Sequence, residues 1–145
     1  MLTTNSEGSF MGIVDRYKMY REASRGLIQS VFAARKGESS KICISVGWRM
    51  SDEEYLAKVE EGLKMAQDFR PEIILHFSGH DTHRDDYGSR GLSEDFFIEL
   101  ARKMKEFSAK ISSGKYVLID GGSANREVTE YIFPRIIDVL RTSSR

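Results

Sequence analysis

Residues 51–97 read SDEEYLAKVEEGLKMAQDFRPEIILHFSGHDTHRDDYGSRGLSEDFF, and their patterning decides the fold. Ser51 with Glu54 three residues on makes a capping-box pattern, and Tyr55, Leu56, Val59, Leu63, Ala66 and Phe69 then share one helical face. The spacing predicts a helix over 52–68. Pro71 resets the chain, and Glu72 to Ser78 (EIILHFS) is a short apolar run of strand character. Residues 79–92 are polar, rich in Gly, Asp and His, and have no period, a loop long enough to suggest a task of its own. Ser93 then stands as the cap of a helix whose face is Phe97, Leu100, Met104, Phe107 and Ile111, with Gly114 placed as a C-cap.

Downstream, Tyr116 to Asp120 (YVLID) is a strand broken by Gly121 and Gly122. A helical stretch follows with Val128, Tyr131, Ile132, Ile136, Val139 and Leu140, in which Pro134 implies a kink or a restart. Upstream, Lys41 to Gly47 (KICISVG) reads as a first strand. Before it, Ile13, Val14, Tyr17, Tyr20, Leu27, Ile28, Val31 and Phe32 recur at three and four, predicting a helix ended by Gly37. The order is α-β-α-β-α-β-α, which predicts an α/β domain of three layers, α/β/α, with the three strands in one small parallel sheet. Residues 1–10 are read as a disordered tail and 11–145 as a single α/β domain.

With 145 residues the chain can bury roughly 70% of its unfolded surface without staples. Its 22 basic and 22 acidic side chains cancel, which disfavours a nucleic-acid binder steered by net charge. The single cysteine, Cys43, cannot form an internal disulfide, and no apolar run approaches the roughly 18 residues needed to cross a bilayer. The first ten residues lack the basic and apolar regions of a secretory signal. The expectation is a cytoplasmic protein with no nucleic-acid or membrane partner.

In open α/β sheets ligands bind beyond the carboxyl ends of the strands, where two unusual loops fall. The first holds all three histidines of the chain nearby: His76, His80 and His83 lie within eight positions. Asp81 and His83, one residue apart in an extended segment, would point to the same side and could ligate a divalent ion such as zinc, with His80 as a further candidate. The competing reading makes these ordinary loop residues, with His76 a hydrogen-bonded core histidine and Asp85 and Asp86 solvated or capping the turn. Gly121 and Gly122 are either a tight turn or an anion-binding cofactor site at a helix start.

At these loops the sequence resembles the carboxyl-terminal third of the histone deacetylase family, with its acetoin-utilisation and acetylpolyamine amidohydrolase relatives. The stretch quoted above is similar to that family's Asp-Tyr helix, Pro-Asp strand, Ser-Ala-Gly-Phe-Asp-Ala-His-x-x-Asp-Pro-Leu-Gly loop and Leu-x-Leu-Thr helix start. The resemblance runs from Lys41 to Leu140 and implies the carboxyl-terminal part of the arginase/deacetylase fold. Carried over, Asp81 matches the second zinc-binding aspartate and Gly79 the glycine before it. Asp86 matches a loop aspartate that braces rather than binds metal, and Ser93 the threonine that opens the next helix. Asp120, Gly121 and Gly122 match the Glu-Gly-Gly ahead of the transition-state tyrosine.

The departures weigh more. The family's Asp-x-His metal segment and tandem-histidine base have no match before Lys41, Ser123 stands where the tyrosine would be, and Tyr87 stands at the family's proline. The segment 12–36 has no recognised counterpart. Amide hydrolysis by this route needs three metal ligands, a base and an oxyanion donor, and one ligand of the three is matched. Two readings follow. In the first, the chain is a truncated deacetylase-like domain without independent deacetylase activity, binding zinc weakly or not at all and acting as a binding or interaction module. In the second, it is a metal-dependent amide hydrolase completed by a partner chain or by a rebuilt Asp81/His83 site. An unrelated phosphate-binding protein is a third, lesser reading. A small sheet with an open edge also implies a homo-oligomer, or a chain that supplies the missing half.

Overall fold

The computed structural model describes residues 49–142 and the strand backbones at 2–4, 10–12, 27–35 and 38–46. In chain order these strands are β1 (Leu2–Thr4), β2 (Phe10–Gly12), β3 (Leu27–Arg35) and β4 (Glu38–Val46). Then follow α1 (Asp52–Phe69), β5 (Ile74–Ser78), a 3-10 turn (His80–Thr82), α2 (Glu94–Ile111), β6 (Tyr116–Asp120) and α3 (Arg126–Arg141).

The unit that positions the site is β5–α2–β6. The two strands pair in parallel, with Ile74 opposite Tyr116 and Ser78 opposite Asp120, so both chains leave the sheet at the same edge. Around this pair the fold is mixed α/β with a small parallel sheet, as the sequence implies. Helix α1 begins with the capping box read from the sequence: Ser51 Oγ accepts from the Glu54 N–H and the Glu54 carboxylate accepts from the Ser51 N–H. Ser93 caps α2, and its N–H and hydroxyl both donate to Asp52, tying the starts of α1 and α2 together.

Among the described residues the core is one apolar cluster that includes Tyr55 and Leu63 from α1, Phe96, Phe97, Leu100 and Met104 from α2, Val128, Ile132 and Ile136 from α3, and Ile74 of β5. Tyr55 meets Phe96 edge to face at 4.9 Å, and Ile132 is wholly buried. Burying a side chain of that size contributes about 1.5–3 kcal/mol. This core lies on one face of the β5–β6 sheet. On the other face Leu75, Phe77, Val117 and Ile119 remain exposed.

Upstream of Arg49 the structure corrects two expectations. Residues 27–32, read as the end of a helix, belong to strand β3, and the rest of that expected helix, residues 13–26, lies outside the described residues. The expected strand 41–47 exists as β4, but it pairs antiparallel with β3 in a two-stranded sheet of its own, alongside α1. It does not join β5 and β6. Arg35 pairs with Glu38, and Gly37, expected as a C-cap, lies outside the described residues. Leu27, Ile28, Val31 and Phe32 fit a helical period, but a short apolar run cannot disclose a cross-strand partner. Within the stretch read as a tail, β1 pairs antiparallel with β2.

Helix α3 is continuous through Pro134, which therefore neither ends nor restarts it. Helix α2 ends at Ser112, with Ser113 and Gly114 both at positive φ and the Gly114 N–H bonded to the Ser108 carbonyl at 3.0 Å.

Candidate functional site

The loops after β5 and β6 meet through their backbones. The Gly121 N–H donates to the Ser78 carbonyl at 2.8 Å, and the His80 N–H donates to the Gly122 carbonyl at 2.9 Å. Close approach makes Gly79 obligatory, since a Cβ there would stand 2.2 Å from the Gly121 carbonyl oxygen. Gly122 has φ +93°. The Gly121 N–H is thus engaged in joining the two strand ends.

The 3-10 turn over His80–Thr82 abolishes the alternation on which a shared Asp81/His83 face depended. Asp81 stays at the surface, where Oδ2 accepts from the Tyr87 hydroxyl at 3.3 Å. His83 is completely buried against the ring of Phe97, its Nδ1 accepting from the Asp85 N–H at 3.1 Å and its Nε2 lying 3.5 Å from Glu94 Oε1. His80 is 1% exposed, edge-on to the same Phe97 ring, with Nε2 3.8 Å from Asp120 Oδ1. Burial holds its ring below the ordinary imidazole range against the opposing pull of Asp120, Asp86 and Asp81. His76 is bonded through Nδ1 to the Tyr116 hydroxyl at 2.7 Å, and burial lowers it to about 4, so it is neutral near pH 7. The hydrogen-bonded reading of His76 therefore matches its setting.

Asp86 is the most heavily engaged side chain of the two loops. Its carboxylate accepts from Ser123 Oγ at 2.6 Å, from the Tyr87 N–H at 2.7 Å, from the Asn125 N–H at 3.0 Å and from the Ala124 N–H at 3.1 Å. Burial raises the carboxyl, but the donors from Ser123, Asn125, Ala124 and Tyr87 outweigh it and hold the group at about 2. Asp86 thereby occupies the N–H groups just ahead of α3, which an incoming anion would otherwise contact. Asn125 caps α3 and sends its amide back to the Asp85 carbonyl at 2.9 Å. Ser123 has no spare hydroxyl proton: it donates to Asp86 and accepts from Thr129 at 3.0 Å.

Beside these loops opens a groove of about 460 Å³ lined by Asp81, Tyr87, Gly121, Gly122, Phe77 and Ser78, among others. It places Asp81 at the carboxyl edge of the sheet, where the sequence puts the ligand site. Among the described residues no three His, Cys, Asp or Glu side chains converge so as to hold a metal ion. Asp81 lines the groove while His83 is buried beside Phe97, and Gly121 and Gly122 take part in the strand junction. A family-type zinc site needs three such groups, so the described residues do not by themselves fit one.

Sequence reading missed the neighbours that give these residues their roles. Phe97 as the floor under both histidines and Thr129 behind Ser123 leave no local signal. Asn125 did: a capping residue directly ahead of a helical period is a recognisable start.

The family model described as the histone deacetylase domain matches residues 19–140. It begins 22 residues ahead of the resemblance that starts at Lys41, so most of the segment left without a counterpart falls inside the match. Comparison with curated proteins gives no match. No helix among the described residues is long and apolar enough to cross a membrane. With a match spanning 122 of 145 residues and Asp81, Asp86 and the Gly-Gly turn at one sheet edge, this chain belongs to the histone deacetylase family.

Proposed function

We propose that the chain is a truncated deacetylase-like domain without independent deacetylase activity, which works as a binding or interaction module in the cytoplasm. The observation that carries the reading is the engagement of Ser123. At the family's tyrosine position an oxyanion donor must be free to turn toward a substrate. Here the hydroxyl is spent on the carboxylate of Asp86 at 2.6 Å. The two histidines nearest Asp81 are turned into the core against Phe97, where neither meets a reacting group in the groove. Zinc binding by the isolated chain is then weak or absent.

A second reading has its own support. Asp81 and Phe77 line the groove, and Phe77 is exposed by 72%, an arrangement open to a chain that supplies further ligands and a base. In that case deacetylation belongs to the assembly.

Turnover of an acetyl-lysine peptide, with zinc supplied, tests both. No turnover by the chain alone is the expected result, and none by the Ser123→Tyr variant. Zinc-dependent turnover by either protein, abolished by Asp81→Ala, would overturn the proposal.

A further inference from the structure

We infer that the groove beside Gly121 and Gly122 recognises a methylated ammonium group, carried by a trimethylated lysine side chain or by a choline-type small molecule. The inference rests on the reading of the chain as a binding module and names the chemistry of its ligand. Gly121 and Gly122 form a bare platform between three side chains. A Cβ on Gly121 would stand 2.6 Å from Phe77 Cζ, and one on Gly122 would stand 3.6 Å from the Asp81 carboxylate and 3.9 Å from the Tyr87 hydroxyl. The Cα atoms of adjacent residues are about 3.8 Å apart, so one carboxylate and two aromatic side chains border the same short stretch of backbone.

Charge selects the ligand. Among the described residues that line the groove, Asp81 carries the one formal charge: no Lys or Arg is among them, and His76 is neutral near pH 7. The Asp81 charge is felt at the rim, where it holds the Tyr87 phenol above its ordinary range and so keeps the hydroxyl protonated. A carboxylate flanked by aromatic rings attracts a cation, because each ring face carries the negative lobe of its quadrupole.

The kind of cation follows from the acceptors. Asp81 Oδ2 already accepts from Tyr87 at 3.3 Å, and among the described residues no donor reaches Oδ1. A metal ion would meet one carboxylate where it needs several ligands. A guanidinium binds best through two parallel bonds to a carboxylate, and one of these oxygens is taken. A primary ammonium is strongly hydrated and brings three donors to a single charged oxygen, while the Ser78 and Gly122 carbonyls are engaged by Gly121 and His80. Methyl groups require no acceptor and pack against the rings and the wall of Tyr55, Phe97 and Leu100. A volume of about 460 Å³ accommodates such a group with part of the chain that carries it.

NMR titrations of the full chain, read at the Gly121 and Gly122 amides, test this. The probes are a trimethyl-lysine peptide, the same peptide unmodified or acetylated, choline, and the uncharged isostere of choline with carbon in place of nitrogen. Choline should bind about tenfold more tightly than its isostere, and the trimethylated peptide about tenfold more tightly than the other two peptides. Asp81→Asn should lose the preference for the cation while keeping its circular dichroism spectrum. Tighter binding of the peptide identifies a side-chain ligand and tighter binding of choline a free molecule, and either upholds the inference. An isostere that binds as tightly as choline, an unmodified or acetylated peptide that binds as tightly as the trimethylated one, or no saturable binding by any probe would overturn it. These titrations read binding alone. Their failure would leave the absence of turnover standing, and turnover in the acetyl-lysine assay would leave the comparison of choline with its isostere standing.

Discussion

Replacing Asp86 by asparagine is expected to lower the stability of the fold by about 2–3 kcal/mol at neutral pH. The carboxyl is held at about 2 against an ordinary 3.8, and the side chain is 6% exposed, so solvent screens its bonds little. Each tenfold fall in proton affinity corresponds to about 1.4 kcal/mol of preference for the charged form in the folded state. Because the folded value is depressed, this stabilisation is complete above pH ~4 and is lost as pH falls from about 4 to about 2. An asparagine keeps one acceptor oxygen for the donors of Ser123, Tyr87, Ala124 and Asn125 but has no proton to take up. Urea unfolding followed by circular dichroism from neutral to acid pH should give two curves separated at pH 7 and converging near pH 2. Parallel curves, or a difference below about 0.5 kcal/mol at pH 7, would mean that the four hydrogen bonds do not stabilise the ionised carboxylate as described.

Gly79→Ala should be strongly destabilising, by about 3 kcal/mol or more, because its Cβ meets a backbone oxygen of Gly121 that no rotamer change can move; a thermal melt measures it, and an unchanged midpoint would contradict the close approach of the two loops. Ser123→Tyr removes the shortest bond to Asp86 and introduces a ring beside Thr129, so it should cost about 2 kcal/mol in urea unfolding while producing no turnover. A stable, active tyrosine variant would be evidence against both the bracing role of Ser123 and the proposed inactivity.

How much of this was legible in the sequence varies with how local the deciding interaction is. The capping box at Ser51, the helical faces of α1 and α2 and the strand ending at Ser78 are set by neighbours a few residues apart, and the structure returns them. The hairpin of β3 and β4 is decided by pairing such as Leu27 with Val46, across a separation that periodicity does not sense. At the candidate site, the location of the singled-out residues was legible: Asp81, Asp86, His80, His83 and Ser123 all fall in the loops at the carboxyl edge of β5 and β6. Their orientations were not. A single 3-10 turn sends His80 and His83 into the core beside Phe97 and leaves Asp81 in the groove, and a period-two reading of Asp81 and His83 has no access to that turn. The open face around Phe77 was equally hidden, because an apolar strand residue reads as buried until its neighbours are known.

Zinc binding by the purified chain reports most directly on whether Asp81 stands without partners in a metal centre. Calorimetric titration with zinc, after metal analysis of the protein prepared with none added, should give no stoichiometric zinc and no saturable site of submicromolar affinity. One zinc per chain, bound with submicromolar affinity and lost in Asp81→Ala, would contradict the account and establish a working metal site in this fold.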